Sequence, residues 1–330
     1  MSRIKPAYLS CLFIAFLWSV FLAISKIVFS SKLVSATGVN LAQRLITSCI
    51  LLIPFLMAPR QERRLMPKHW APMLFVAFFL TGLMYCSSWA FQLYGQGVAN
   101  AAILGRIDSL FAIVIGWVVF RMRVRATELL ALAGMILGTT LITVKAGQAY
   151  RFDQWAGDGL IIVATLMTSV NAYVIRFALA ELHNSAIAFF NNVFSCGMMA
   201  VIYLGLEMRS GVIRADAANL MSHPALIACC MAMGAIAAVF FLFYYYALYQ
   251  IPVWQVRAFM LFMPFFAVPI AMLTPSLHET ITFREIAGMI IVTVFAYWLM
   301  WLSRFEVSSS VSSEARPETT QQTKESPETA

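Results

Sequence analysis

Apolar residues gather into ten long runs, at about 8–29, 40–58, 71–93, 99–120, 129–146, 159–177, 185–206, 225–248, 254–274 and 283–303, with polar residues between them. Each run approaches the roughly 20 residues that a helix needs to cross a hydrocarbon core about 30 Å thick. Without water, a backbone must satisfy its own hydrogen bonds, so such runs are helices rather than open strands. The connections around Tyr94–Val98 and Tyr249–Pro252 are only a few residues long, which makes their flanking spans antiparallel neighbours. The first run, Tyr8 to about Val28, follows Arg3 and Lys5. It is longer than the apolar core of about 7–15 residues in a secretory signal, so it reads as a retained first span. Beyond residue 304 the chain turns to Ser, Thr, Glu, Gln and Pro, and 305–330 is expected to be a disordered cytoplasmic tail.

The pattern repeats. LAGMILGT at 132–139 matches IAGMIIVT at 286–293, and the same offset aligns Gln96 with Gln250, Phe111 with Phe265 and Val114 with Val268. At slightly shorter offsets, Ser19–Val20 aligns with Ser169–Val170, and Ser48–Cys49 with Ser195–Cys196. The expected organisation is two five-helix halves, 1–146 and 147–304. An odd number of spans per half makes the second enter the bilayer from the opposite side. The fold class expected is therefore an all-α integral membrane protein of ten transmembrane helices arranged as two inverted repeats, with a substrate site near the midplane between them.

Charge sets the orientation. With the N-terminus inside, Arg3, Lys5, Arg60, Arg63, Arg64, Lys68, Arg121, Arg123, Arg125, Arg176 and Arg304 are cytoplasmic, eleven against the six of Lys32, Lys145, Arg151, Arg209, Arg214 and Arg284. Basic residues stay inside, so both termini are expected in the cytoplasm. Across 330 residues, 61% are hydrophobic and 12% charged, about half the charge of a soluble domain. Net charge is +8, but the basic residues cluster at span ends, which argues against a nucleic-acid partner. The short loops and the lack of an N-glycosylation sequon point to a bacterial inner membrane. The six cysteines lie within apolar runs and the four histidines in loops, none at metal-ligand spacing, so no metal or cofactor is expected.

Several residues near the end of each half carry a resemblance. The second half has Pro264, Glu279 and Gly288, with YYYALYQIPV at 244–253; the first half keeps Gly134 but has Leu110 and Arg125 where Pro and Glu would stand. On these features the chain resembles the drug/metabolite transporter superfamily and, within it, the EamA-type transporters, over residues 8–304. The resemblance implies a transporter of small metabolites, with export favoured on analogy. No nucleotide-binding loop or catalytic set is legible, so the driving force is expected to be a proton or other ion gradient, and the chain no enzyme. Two alternatives stay open: a membrane-embedded lipid-acting enzyme using His278 and Glu279, and a proton-coupled uptake carrier of the same fold.

Ionisable groups within spans are the sharpest local signal, because each costs at least ~2.5–3.5 kcal/mol there. They are Lys26, Arg44, Arg106, Asp108 and Arg257. Arg44 either pins a substrate carboxylate or phosphate or snorkels to the interface; Arg257 has the same two readings, and Lys26 snorkels. Asp108 either carries a coupling proton or is a fixed counter-charge. Polar and aromatic groups, among them Trp18, Trp89, Asn171, Tyr173, Asn191, Asn192, Tyr244 and Tyr245, either line a central cavity or join helices to one another. The candidate binding set is Trp18, Arg44, Trp89, Arg106, Asn171, Tyr173, Asn191, Tyr245 and Arg257, with Asp108 as candidate proton carrier. The excess of cations over acids favours an anionic or zwitterionic solute such as an amino acid.

Overall fold

The computed structural model describes residues 6–31, 33–94, 104–105, 107–122, 124–143, 155–207, 211–273 and 282–314. All regular structure among them is helical. In chain order the helices are α1 (Pro6–Ser30), α2 (Ala36–Met57), α3 (Arg60–Arg63), α4 (Pro67–Tyr94), α5 (Ile107–Val118), α6 (Ala126–Thr143), α7 (Trp155–Ala178), α8 (Asn184–Glu207), α9 (Val212–Ser222), α10 (Pro224–Gln250), α11 (Val253–Met260), α12 (Met263–Leu273) and α13 (Phe283–Glu314). Among the described residues, seven stretches are long and apolar enough to cross a membrane: Pro6–Phe29, Ala36–Met57, Pro67–Ser87, Ala156–Ala178, Asn184–Gly205, Pro224–Gln250 and Val253–Ile270. Three shorter apolar helices, Ile107–Val118, Ala126–Ile142 and Ile286–Leu302, accompany them.

Local chemistry explains the boundaries. Ser35 caps α2, its hydroxyl accepting from the Gly38 amide at 3.0 Å. Pro224 opens α10, where its missing N–H costs nothing. The ninth apolar run breaks at Leu261–Phe262, between α11 and α12, just before Pro264. Proline has no N–H to donate back one turn and disfavours helical backbone in the residue before it. The Leu261 and Phe262 amides turn instead to the Ala258 and Phe259 carbonyls, at 3.0 and 3.1 Å.

Two features depart from the pattern of apolar runs. The polar stretch 212–222, expected as loop, forms α9, with Asp216 as its one buried residue. And α13 continues to Glu314, past the composition change at 305, because extending an existing helix is far cheaper than starting one.

The helices pair in matched sets. α1 packs on α10 and α12, while α7 packs on α4 and α5; α2 and α10 pair as do α8 and α4. The pairs α2–α8, α5–α11 and α6–α13 complete the bundle. One large cluster of buried apolar side chains runs from Ala7 and Ile14 of α1 to Val292 and Leu299 of α13, and a small second one gathers Ala90, Leu104 and Ile161. Large apolar groups such as Ile53, Met57, Trp117 and Val201 coat the outside, as lipid contact requires. At the α6–α13 crossing, a methyl group on Gly138 would lie 2.8 Å from the Gly288 carbonyl oxygen, and one on Gly288 would lie 2.6 Å from the Gly138 oxygen. Only glycine permits backbones so close, so the small residues of GMILG serve a crossing within the chain.

Candidate functional site

α2 carries a buried polar stripe. Gln43, Arg44, Thr47 and Ser48 are all buried against α8 and α10, as the three-and-four spacing of one helix face dictates. Arg44 is 1% exposed. Its Nη1 donates to Asn192 Oδ1 of α8 at 2.6 Å, and its guanidinium lies 5.4 Å from the Phe241 ring centre. The side chain thus turns into the bundle rather than to an interface. Its Nε and Nη2 have no hydrogen-bond partner, and no carboxylate among the described residues pairs with it. These two N–H groups form one edge of the guanidinium, the fork that grips both oxygens of a carboxylate. Each buried donor left unmade costs about 1–3 kcal/mol, so an empty fork is an expense that an anionic ligand removes.

The other buried arginine is differently placed. Arg257 of α11 donates from Nη2 to the Thr168 carbonyl at 2.9 Å and to the Tyr244 hydroxyl at 2.5 Å, with its guanidinium 5.2 Å from the Tyr244 ring centre. Its Nη1 lies 3.9 Å from Asp108 Oδ2. Asp108, in the first turn of α5, also accepts from the Ser109 hydroxyl at 3.2 Å, and its backbone oxygen accepts from Ser169 at 2.8 Å. Arg257 therefore meets α5, α7 and α10 at once.

Asn191 joins the two regions. Its Nδ2 donates to the Tyr245 hydroxyl at 2.6 Å, and its Oδ1 has no partner. Tyr245 is adjacent to Tyr244 on α10, with ring centres 5.6 Å apart. Buried Asn171 likewise has an unpartnered Oδ1.

The remaining candidates scatter. Tyr173 donates to the Ala112 carbonyl at 2.6 Å, stacks on Phe120 and presses on Gly116, a helix-joining contact. Trp18 sits between the Phe21 and Phe240 rings, each 4.7 Å away. Trp89 is 47% exposed and leans on Tyr85, so it faces away from the buried polar groups. Arg106, His278 and Glu279 lie outside the described residues. Two buried groups escaped the sequence reading. Gln255 accepts from the Tyr8 hydroxyl at 3.2 Å, and Phe241 supplies the ring beside Arg44. Gln255 follows a loop proline and Phe241 sits in a run of aromatics, so neither stood out.

No curated protein matches the sequence. A solved crystal structure described only as "Crystal structure of protein" superposes with a TM-score of 0.73 at 13% identity, covering 92% of this chain and 99% of the other. That likeness concerns the fold alone. Residues 5–144 match the family model described as the EamA-like transporter family, whose members are transporters rather than enzymes. With seven membrane-length apolar stretches among its described residues, the protein is thus a multi-pass membrane chain that, over residues 5–144, matches the EamA-like transporter family of the drug/metabolite transporter superfamily.

Proposed function

We propose that the protein is a secondary active transporter that moves a small carboxylate-bearing solute, an amino acid or related metabolite, by alternating access between two inverted five-helix halves, 1–146 and 147–304. The observation that carries the solute class is Arg44: a buried cation with an open two-pronged fork, held by Asn192 of the other half. The matched helix pairs support the repeat, because exchanging halves carries α1–α10 onto α7–α4 and α2–α10 onto α8–α4. So do twin hydrogen bonds: Ser19 donates to the Met263 carbonyl at 2.7 Å as Ser169 does to the Asp108 carbonyl at 2.8 Å. On this reading both termini face the cytoplasm of a bacterial inner membrane, the solute is exported, and an ion gradient drives the cycle.

Flux in proteoliposomes with matched carboxylates, amines and neutral solutes tests the proposal. Carboxylates move and Arg44→Lys, which offers no planar fork, cuts their flux; a preference for permanent cations overturns the reading. A second reading, proton-coupled uptake, rests on Asp108 standing 3.9 Å from Arg257. It requires that a pH gradient drive inward flux and that Asp108→Asn abolish that drive.

A further inference from the structure

α2 is tied at its start to a segment far along the chain. Asp216 of α9 accepts from the Ser35 amide at 2.9 Å, from the Ser35 hydroxyl at 2.5 Å and from the Tyr203 hydroxyl of α8 at 2.8 Å. One turn further along α9, Asn219 donates to the Leu33 carbonyl at 2.6 Å. Asp216 is buried.

This joint is a capping box built in two pieces. In the usual form an N-cap serine is followed three residues later by a glutamate that reaches back to the serine amide. Here the N-cap is Ser35 and the third residue is Gly38, which has no side chain to reach with. Asp216 takes that role from outside, and a methyl group on Gly38 would lie 2.5 Å from its Oδ2. A carboxylate at a helix start is also favoured by the helix dipole. The helix thus borrows from α9 a cap that a residue of its own could supply. A borrowed cap can be released.

Arg44 lies nine residues after Ser35, about 13.5 Å from this joint by helix rise. The far end of α2, about 33 Å away by helix rise, has ties of its own. There Phe55 stacks on Phe189 of α8 and Arg63 donates to the Leu56 carbonyl at 2.8 Å, while in the segments that follow α2 and α7 Lys68 and Glu181 form an ion pair and the His183 amide donates to the Glu62 carbonyl at 3.0 Å. Arg44 is enclosed between two tied ends.

We infer that Asp216 is the gate latch at the α9 end of the bundle, a detachable cap whose release from Ser35 exposes the Arg44 region to that side. The inference rests on the alternating-access reading above. Cys196 is a natural reporter, one turn after Asn192 on the same face of α8 and buried.

The test uses the full chain in oriented proteoliposomes, with Cys11, Cys49, Cys86, Cys229 and Cys230 replaced by alanine and a membrane-impermeant maleimide added to one side at a time. Asp216→Ala is expected to raise Cys196 labelling from the α9 side by roughly tenfold, with no rise from the other side. Asp216→Asn, which keeps an acceptor, gives a smaller rise on the same side. The double variant Gly38→Glu/Asp216→Ala returns a cap to α2 from within. It is expected to recover the thermal midpoint while labelling stays high, and it supplies a folded protein if Asp216→Ala alone is unstable. Unchanged labelling, an equal rise from both sides, or recovery of both properties in the double variant overturns the latch and leaves Asp216 a plain cap. If no solute moves in flux assays while labelling rises on one side only, the latch stands and the solute reading fails.

Discussion

Arg44 and Arg257 are the same residue type, both buried, and the protein treats them in opposite ways. Arg257 is supplied from within by a carbonyl, a tyrosine and a nearby aspartate, and only its Nε is unpartnered. Arg44 has one amide oxygen, one ring face and an empty fork. A buried charge with internal partners holds helices in place. A buried charge without them costs stability and is kept for what it meets from outside. The contrast supports the proposed reading, in which Arg44 serves recognition and Arg257 serves structure.

Substitution at the two positions breaks the comparison most sharply. Arg44→Met is expected to lower carboxylate flux about a hundredfold, the scale of deleting one partner of a buried charged contact. Its thermal midpoint should hold or rise, since an unpaired charge has left the interior; a collapse of stability would mean that Arg44 is scaffold. Arg257→Met is expected to do the reverse, costing about 2–3 kcal/mol in a denaturation series by removing the charged hydrogen bonds to Thr168 and Tyr244. Arg257→Lys recovers only part, because a compact ammonium cannot copy the planar contacts to Thr168 and Tyr244.

Asp108→Asn sharpens the assignment. As a fixed counter-charge, Asp108 changes stability modestly and leaves the pH dependence of flux alone. As a proton carrier, its amide abolishes pH-driven flux while solute exchange persists. The smallest effect belongs to the surface pair. Lys68 beside Glu181, with His69 adding to it, holds the Glu181 carboxyl below the usual glutamate range. A lowered acid stabilises the fold above its unfolded pKa of about 4.3, and that contribution fades as pH falls through the lower folded value. Glu181→Gln should flatten this slight acid-side slope in a thermal-midpoint series and leave neutral pH nearly unchanged, since exposed pairs contribute little.

The helices were legible in the sequence because lipid imposes uniform apolarity on each run; the break between α11 and α12, just before Pro264, is a feature of the folded chain. Arg44, Asp108 and Arg257 were legible for the same reason: a charge within an apolar run stands out. The direction of Trp89 was not. α4 is apolar around its circumference, so periodicity carries no phase, and an exposed tryptophan reads like a buried one. Asp216 was hidden for the opposite reason. It lies in a polar segment that resembles solvent-exposed loop, and Ser35 is distant in sequence, so only the folded chain brings the pair together.

The α6–α13 crossing has a mechanical consequence. Where Gly138 and Gly288 meet, main chain approaches main chain directly, flanked closely by the Ile142, Ile291 and Val292 side chains. Such a seam has no soft layer that can compress or shear; on the alternating-access reading proposed above it is the axle around which the remaining helices tilt while these two travel together. A single added methyl there would jam the pivot while leaving the solute's resting place chemically intact.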